Sequence, residues 1–168
     1  MIAEVGIFSL ILSLIFSLYG SVSYIFSNLN KRFLLEISSQ VKISNLIFLF
    51  TLLSFACLIY SFLISDFSLN VIKNNSNSQL PLKYKFTGVW GNHEGSILLW
   101  LLVMTFFCFL FSKVKTINLN LKKNILSIQI ILCFFVCLFV VMTSNPFEKT
   151  FPPAIEGADL NPLLQDPG

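Results

Sequence analysis

The sequence predicts an all-α integral membrane protein of about four transmembrane helices, with an outer-face loop and a Pro-rich C-terminal tail. Three observations predict it. The 168-residue chain is 55% hydrophobic and only 11% charged, where a soluble domain carries about 25% charged residues. Its mean hydropathy is +0.81. Four stretches, residues 5–30, 43–65, 95–112 and 124–147, contain no Asp, Glu, Lys or Arg. Each is close to the roughly 20 residues that an α-helix needs to cross about 30 Å of hydrocarbon.

The expected organisation is a four-helix membrane domain over residues 1–147, with helices near 5–27, 43–65, 95–112 and 124–143. An outer loop spans 66–94, and the tail spans 148–168. The first helix follows Glu4, where a signal peptide would carry basic residues, and no small-x-small cleavage site comes after it. It is therefore expected to stay in the chain. Ser9, Ser13, Ser17 and Ser21 recur on it every four residues, a ridge that lets a neighbouring helix approach closely. Ser54, Cys57, Ser61 and Ser65 make a similar row on the second helix.

In the loop, Phe67, Leu69 and Val71 alternate with polar residues, which suggests a short extended segment. Residues 74–78 read as turn or coil, and Pro81 is expected to block a helix there. Trp90 and Trp100 bracket the start of the third helix, where indoles favour headgroup depth. Residues 143–168 hold five of the six prolines, at positions 146, 152, 153, 162 and 167, so extended or turn structure is expected there.

Charge sets the orientation. Lys31, Arg32, Lys42, Lys113, Lys115, Lys122 and Lys123 lie between helices one and two or three and four, against one acid, Glu36. The other side holds Lys73, Lys83, Lys85 and Lys149 against seven acids. The positive-inside rule then puts the N-terminus, the 66–94 loop and the tail on the outer, intermembrane-space or periplasmic side. Nineteen Phe with a single Arg follow AT-rich codons, which points to an organellar or AT-rich genome.

The candidate chemistry is sparse. His93 is the only histidine, within Trp90, Gly91, Asn92, His93, Glu94, Gly95 and Ser96. One histidine cannot build a protein-only metal site of ordinary ligand count. It can fix a loop or cap the third helix, and an imidazole can also take an axial position on haem iron. Glu94 falls in the first helical turn, where the dipole favours an anion. Cys57, Cys108, Cys133 and Cys137 sit in apolar sequence and read as packing residues, not as a disulfide or redox set. No self-sufficient catalytic site and no metal site can be assembled, and no nucleic-acid partner is expected.

Three blocks resemble the N-terminal region of the CcmF/NrfE family of cytochrome c-type haem lyases. They are Asp66-Phe67-Ser68 leading to residues 75–81 and Tyr84-Lys85; WGNHEGSILLW at 90–100; and TSNPF at 143–147 followed by EGADLNPLLQDPG at 156–168. The resemblance implies part of an inner-membrane haem lyase of cytochrome c maturation, mitochondrial or bacterial, with haem as the cofactor of the assembled complex. It implies as partners a haem chaperone and apocytochrome c, besides the lipid bilayer. Trp90, Gly91, Asn92, His93 and Glu94 become candidates for lying near haem or substrate. Asp159, Asn161, Pro162, Gln165 and Asp166 become candidates for an assembly interface. In the family the haem-ligating histidines lie beyond the LLQDPG block, so the expectation is a split protein whose companion chain or chains supply them. The alternative is a structural subunit of a respiratory complex that keeps the fold without maturation activity.

Overall fold

The computed structural model describes residues 1–29 and 37–158. The protein is an all-α integral membrane protein. Among the described residues four of six helices are long and apolar enough to cross a membrane: α1 (Ile2–Leu29), α2 (Ile37–Leu63), α5 (His93–Lys113) and α6 (Leu119–Thr143). Two short helices, α3 (Asn70–Asn75) and α4 (Leu82–Gly88), lie in the connection between α2 and α5. α1 packs on α2 and α6, α5 packs on the same two, and α2 also meets α6 across the bundle.

Each long helix runs past the charge-free window that marked it. α2 begins at Ile37 and includes Lys42, and α6 begins at Leu119 and includes Lys122 and Lys123. A lysine near a helix end can keep its ammonium at the interface while its stem stays in apolar surroundings. Lys122 goes further: it is buried, and its Nζ donates to the carbonyls of Ser112 at 2.7 Å and Val114 at 2.6 Å, satisfying the end of α5.

The bundle keeps small residues inside and large apolar ones outside. Ser9, Ser13, Ser17 and Ser21 of α1 are buried, as are Thr51, Ser54 and Ser61 of α2. Phe8, Trp100, Phe107 and Phe135 are exposed on the surface that faces lipid. Lipid tails are as apolar as leucine, so helices gain little by hiding leucine and more by close backbone approach. Gly20 shows how close: a Cβ there would stand 3.0 Å from both Ile43 and Ile130 side chains. The Ser13 and Thr51 hydroxyls meet at 2.9 Å between α1 and α2. Ser17, Ser21 and Thr51 also bond back to their own helix carbonyls, which keeps these hydroxyls satisfied away from water.

One end of the bundle gathers the start of α1, the end of α2, the start of α5 and the end of α6. Phe147 rests where a Cβ on Gly6 would collide with its ring, at 2.3 Å. Lys149 pairs with Glu4 and forms an isolated antiparallel bridge with Leu69. The extended segment expected at Phe67 to Val71 is thus reduced to one bridge residue, because Asn70 and Val71 already belong to α3. Nor does Pro81 block a helix: it is the N-cap of α4. A missing amide costs nothing at a helix start, where that donor has no intrahelical partner.

Candidate functional site at the motif end of the bundle

The WGNHEGS segment is a hinge between α4 and α5, and each polar residue in it has a traceable structural task. Asn92 is the N-cap of α5: its Oδ1 accepts from Gly95 N at 2.7 Å. Its Nδ2 donates back to the carbonyls of Gly88 at 2.8 Å and Val89 at 3.1 Å. One side chain therefore closes the end of α4 and opens α5. Gly95 has no alternative residue, since a Cβ there would lie 1.7 Å from the Val89 carbonyl oxygen.

His93, the first residue of α5, is exposed, and its Nε2 lies 3.1 Å from the hydroxyl of buried Ser144 just past α6. This contact ties the start of one membrane helix to the end of another. Glu94 is half-buried in the first turn of α5, where the helix dipole favours its charge. Trp90 packs edge-on against Phe86 of α4 with ring centroids 5.1 Å apart. Trp90, Asn92 and His93 thus act on the bundle through these contacts and caps, while Glu94 stands in the first turn of α5 and Gly91 is half-buried. Asp159, Asn161, Pro162, Gln165 and Asp166 lie outside the described residues.

A second constellation at this end was not singled out from sequence. Lys85 of α4 is buried, and its Nζ donates to Ser65 Oγ at 2.6 Å and to the Ser78 carbonyl at 3.1 Å. Ser65 follows α2 with a left-handed φ of 56°, and the Asp66 amide donates back to the Ser61 carbonyl at 3.0 Å, so the pair terminates the helix. Ser78 in turn holds the tail: its amide and hydroxyl donate to the Glu156 carboxylate at 3.0 and 2.6 Å. These two bonds, with that from Gly157 N, hold the Glu156 carboxyl below the usual carboxylate range. Beside it a Cβ on Gly157 would stand 2.1 Å from the Ser76 carbonyl oxygen. The sequence signal that could have found Lys85 was Pro81 read as a helix start, which would have turned Lys85 inward one turn later.

Among the described residues no group of three His, Cys, Asp or Glu side chains converges. The apolar grooves on the flanks, such as that of Phe48, Leu52 and Phe106, do not include His93. The cysteines are free and buried in the bundle.

A family model described as Cytochrome C assembly protein matches residues 90–168, starting at Trp90. The chain is 40% identical, over its whole length, to the cytochrome c-type biogenesis protein CycK of Bradyrhizobium diazoefficiens. It is 44% identical over 68% of its length to CcmF of Escherichia coli. The chain belongs to the CcmF/CycK/NrfE family. It corresponds to the N-terminal portion of these proteins and spans only 26% and 18% of the two relatives. The solved structure named Cytochrome c Heme Lyase CcmF superimposes with a TM-score of 0.76 and 27% identity over 88% of this chain, which is 25% of the solved one. In this CcmF-family chain the WGNHEGS block is thus a helix junction at one end of a bundle whose fold the solved relative shares.

Proposed function

We propose that this chain is the N-terminal part of a cytochrome c maturation haem lyase and helps to present haem for covalent attachment to apocytochrome c. The observation that carries the reading is the superposition of nearly the whole chain on a solved haem lyase. The helix junction at Trp90–Glu94, the Lys85 clamp and the docked tail form one ordered surface at a single end of the bundle. A haem chaperone and apocytochrome c would be received at that surface. In this reading the junction positions the surface, and residues supplied by one or more companion chains ligate haem. In this reading His93 is a positioning residue, its Nε2 meeting the Ser144 hydroxyl.

The same reading makes this a split protein of the mitochondrial inner membrane, or of a bacterial inner membrane. The motif end then faces the intermembrane space or periplasm. The lysine asymmetry supports that direction: Lys42, Lys113, Lys115, Lys122 and Lys123 all lie at the opposite end.

Affinity purification of the chain in mild detergent tests it, with partners identified by mass spectrometry and haem by absorbance. The expected result is a companion chain carrying the rest of the family sequence, together with haem. Haem-free preparations, and unchanged haem staining of c-type cytochromes after depletion of the chain, would overturn the reading.

A further inference from the structure

The flank between α1 and α2, at the lysine end of the bundle, carries a groove unlike the others described. It is lined by Phe16 and Tyr19 of α1 and by Ser39, Lys42, Ile43 and Leu46 of α2. Its hydroxyl and ammonium groups sit toward the start of α2, and its apolar residues continue into the membrane span. Lys42 is exposed five residues into α2, about 8 Å along the axis from Ile37. Phe16 stacks on Phe50 with centroids 5.6 Å apart, which fixes one wall. Beneath it Gln40 Nε2 donates to the Gly20 carbonyl at 3.3 Å and locks the two helices at this depth.

We infer that this groove binds the headgroup of an anionic phospholipid from the leaflet at the lysine end. A phosphate oxygen accepts from Lys42 Nζ, Tyr19 and Ser39 offer hydroxyls beside it, and the acyl chains follow Phe16, Ile43 and Leu46. Charge chooses the occupant. Among the described residues this end holds five lysines and no carboxylate. Lys122 is spent on the end of α5 and Lys113 lies over the Phe109 ring, whereas Lys42 has no acceptor among the described residues. A lysine near a helix end places its ammonium at headgroup level, and basic sites between membrane helices recruit acidic headgroups. The groove of Phe48, Leu52 and Phe106 and that of Phe107, Phe111 and Ile125 contain no charged side chain, so they offer nothing to a headgroup.

The test uses the full chain, with whatever partners co-purify, reconstituted in nanodiscs of phosphatidylcholine with a minority of phosphatidylglycerol. Photoactivatable phosphatidylglycerol and phosphatidylcholine with identical acyl chains are crosslinked, and the labelled peptides are mapped by mass spectrometry. The expected result is stronger labelling of the α1 and α2 groove peptides by phosphatidylglycerol. Lys42→Gln lowers that preference by about fivefold, the factor one lysine near a membrane surface supplies, while Lys42→Arg keeps it and Lys115→Gln leaves it unchanged. Equal labelling by both lipids, or a preference indifferent to Lys42, overturns the inference and leaves Lys42 as a snorkelling side chain only. Competition by inorganic phosphate overturns it in favour of a free-anion site.

Discussion

Gly95 lies under the carbonyl of Val89, so near that a Cβ on residue 95 would stand 1.7 Å from the Val89 oxygen. The clash is with backbone, which has no rotamer to yield. Gly95→Ala is therefore expected to push α4 away from α5 and break the Asn92 cap, costing about 3 kcal/mol or more. Thermal unfolding in detergent would read it as a lowered Tm. The neighbouring Asn92→Ala, which removes only the cap, is expected to cost about 1 kcal/mol.

His93 separates a positioning role from a ligating one. Loss of the contact between His93 Nε2 and Ser144 Oγ is worth about 1 kcal/mol for a neutral hydrogen bond. His93→Ala and Ser144→Ala should then lower stability by similar amounts and be non-additive together. Haem in the purified complex should keep its absorbance spectrum in both variants. A spectral change in His93→Ala alone would make His93 a ligand.

Lys85 is the buried cation of the motif end. Lys85→Met keeps the apolar stem but leaves Ser65 Oγ and the Ser78 carbonyl without their donor. A bond from a charged group is worth about 1.5–3 kcal/mol. The variant should expose the 66–94 connection to limited proteolysis before the bundle unfolds, whereas Lys83→Met, at an exposed position, should not.

Glu156 gives the tail a pH dependence. Its carboxylate is held below the ordinary range, first by the Ser78 hydroxyl and then by the Ser78 and Gly157 amides. The docked tail favours the charged form, so this contribution is complete above the ordinary carboxylate range and is lost as pH falls through the depressed value. Hydrogen exchange at Gly157 and Ala158, taken relative to the intrinsic amide rate at each pH, should accelerate on acidification. In Glu156→Gln it should already be fast at neutral pH and respond little to acid.

Gly20 tests the close packing of the span. Gly20→Leu places a branched chain between Ile43 and Ile130, where a Cβ alone would already be 3.0 Å from each. It is expected to cost about 3 kcal/mol by overpacking. Phe8→Leu, on the exposed face of the same helix, should leave the Tm of the chain nearly unchanged.

Much of this architecture was legible in the sequence because lipid simplifies the problem. A helix in hydrocarbon must satisfy its own backbone, so a charge-free stretch of sufficient length announces itself. Ser9, Ser13, Ser17 and Ser21 share one face by period alone, and that face is buried. The short helices were less legible. Pro81 reads as a breaker in isolation, and only the chain following it shows that it starts α4.

The sequence by itself determined the class of this protein, its four long helices, the buried serine face of the first of them and the family signature at WGNHEGS, whereas Ser65, expected in the row of the second helix, lies past the end of α2. The tertiary structure alone decided what those signature residues do. That Asn92 bridges two helix ends, that Gly95 sits against a carbonyl, that His93 reaches Ser144 and that Lys85 is buried all depend on contacts between separate elements. The periodic pattern of a helix specifies which face turns inward. It does not specify which groups from other segments arrive at its end, because the turns and short helices of the connection set that distance.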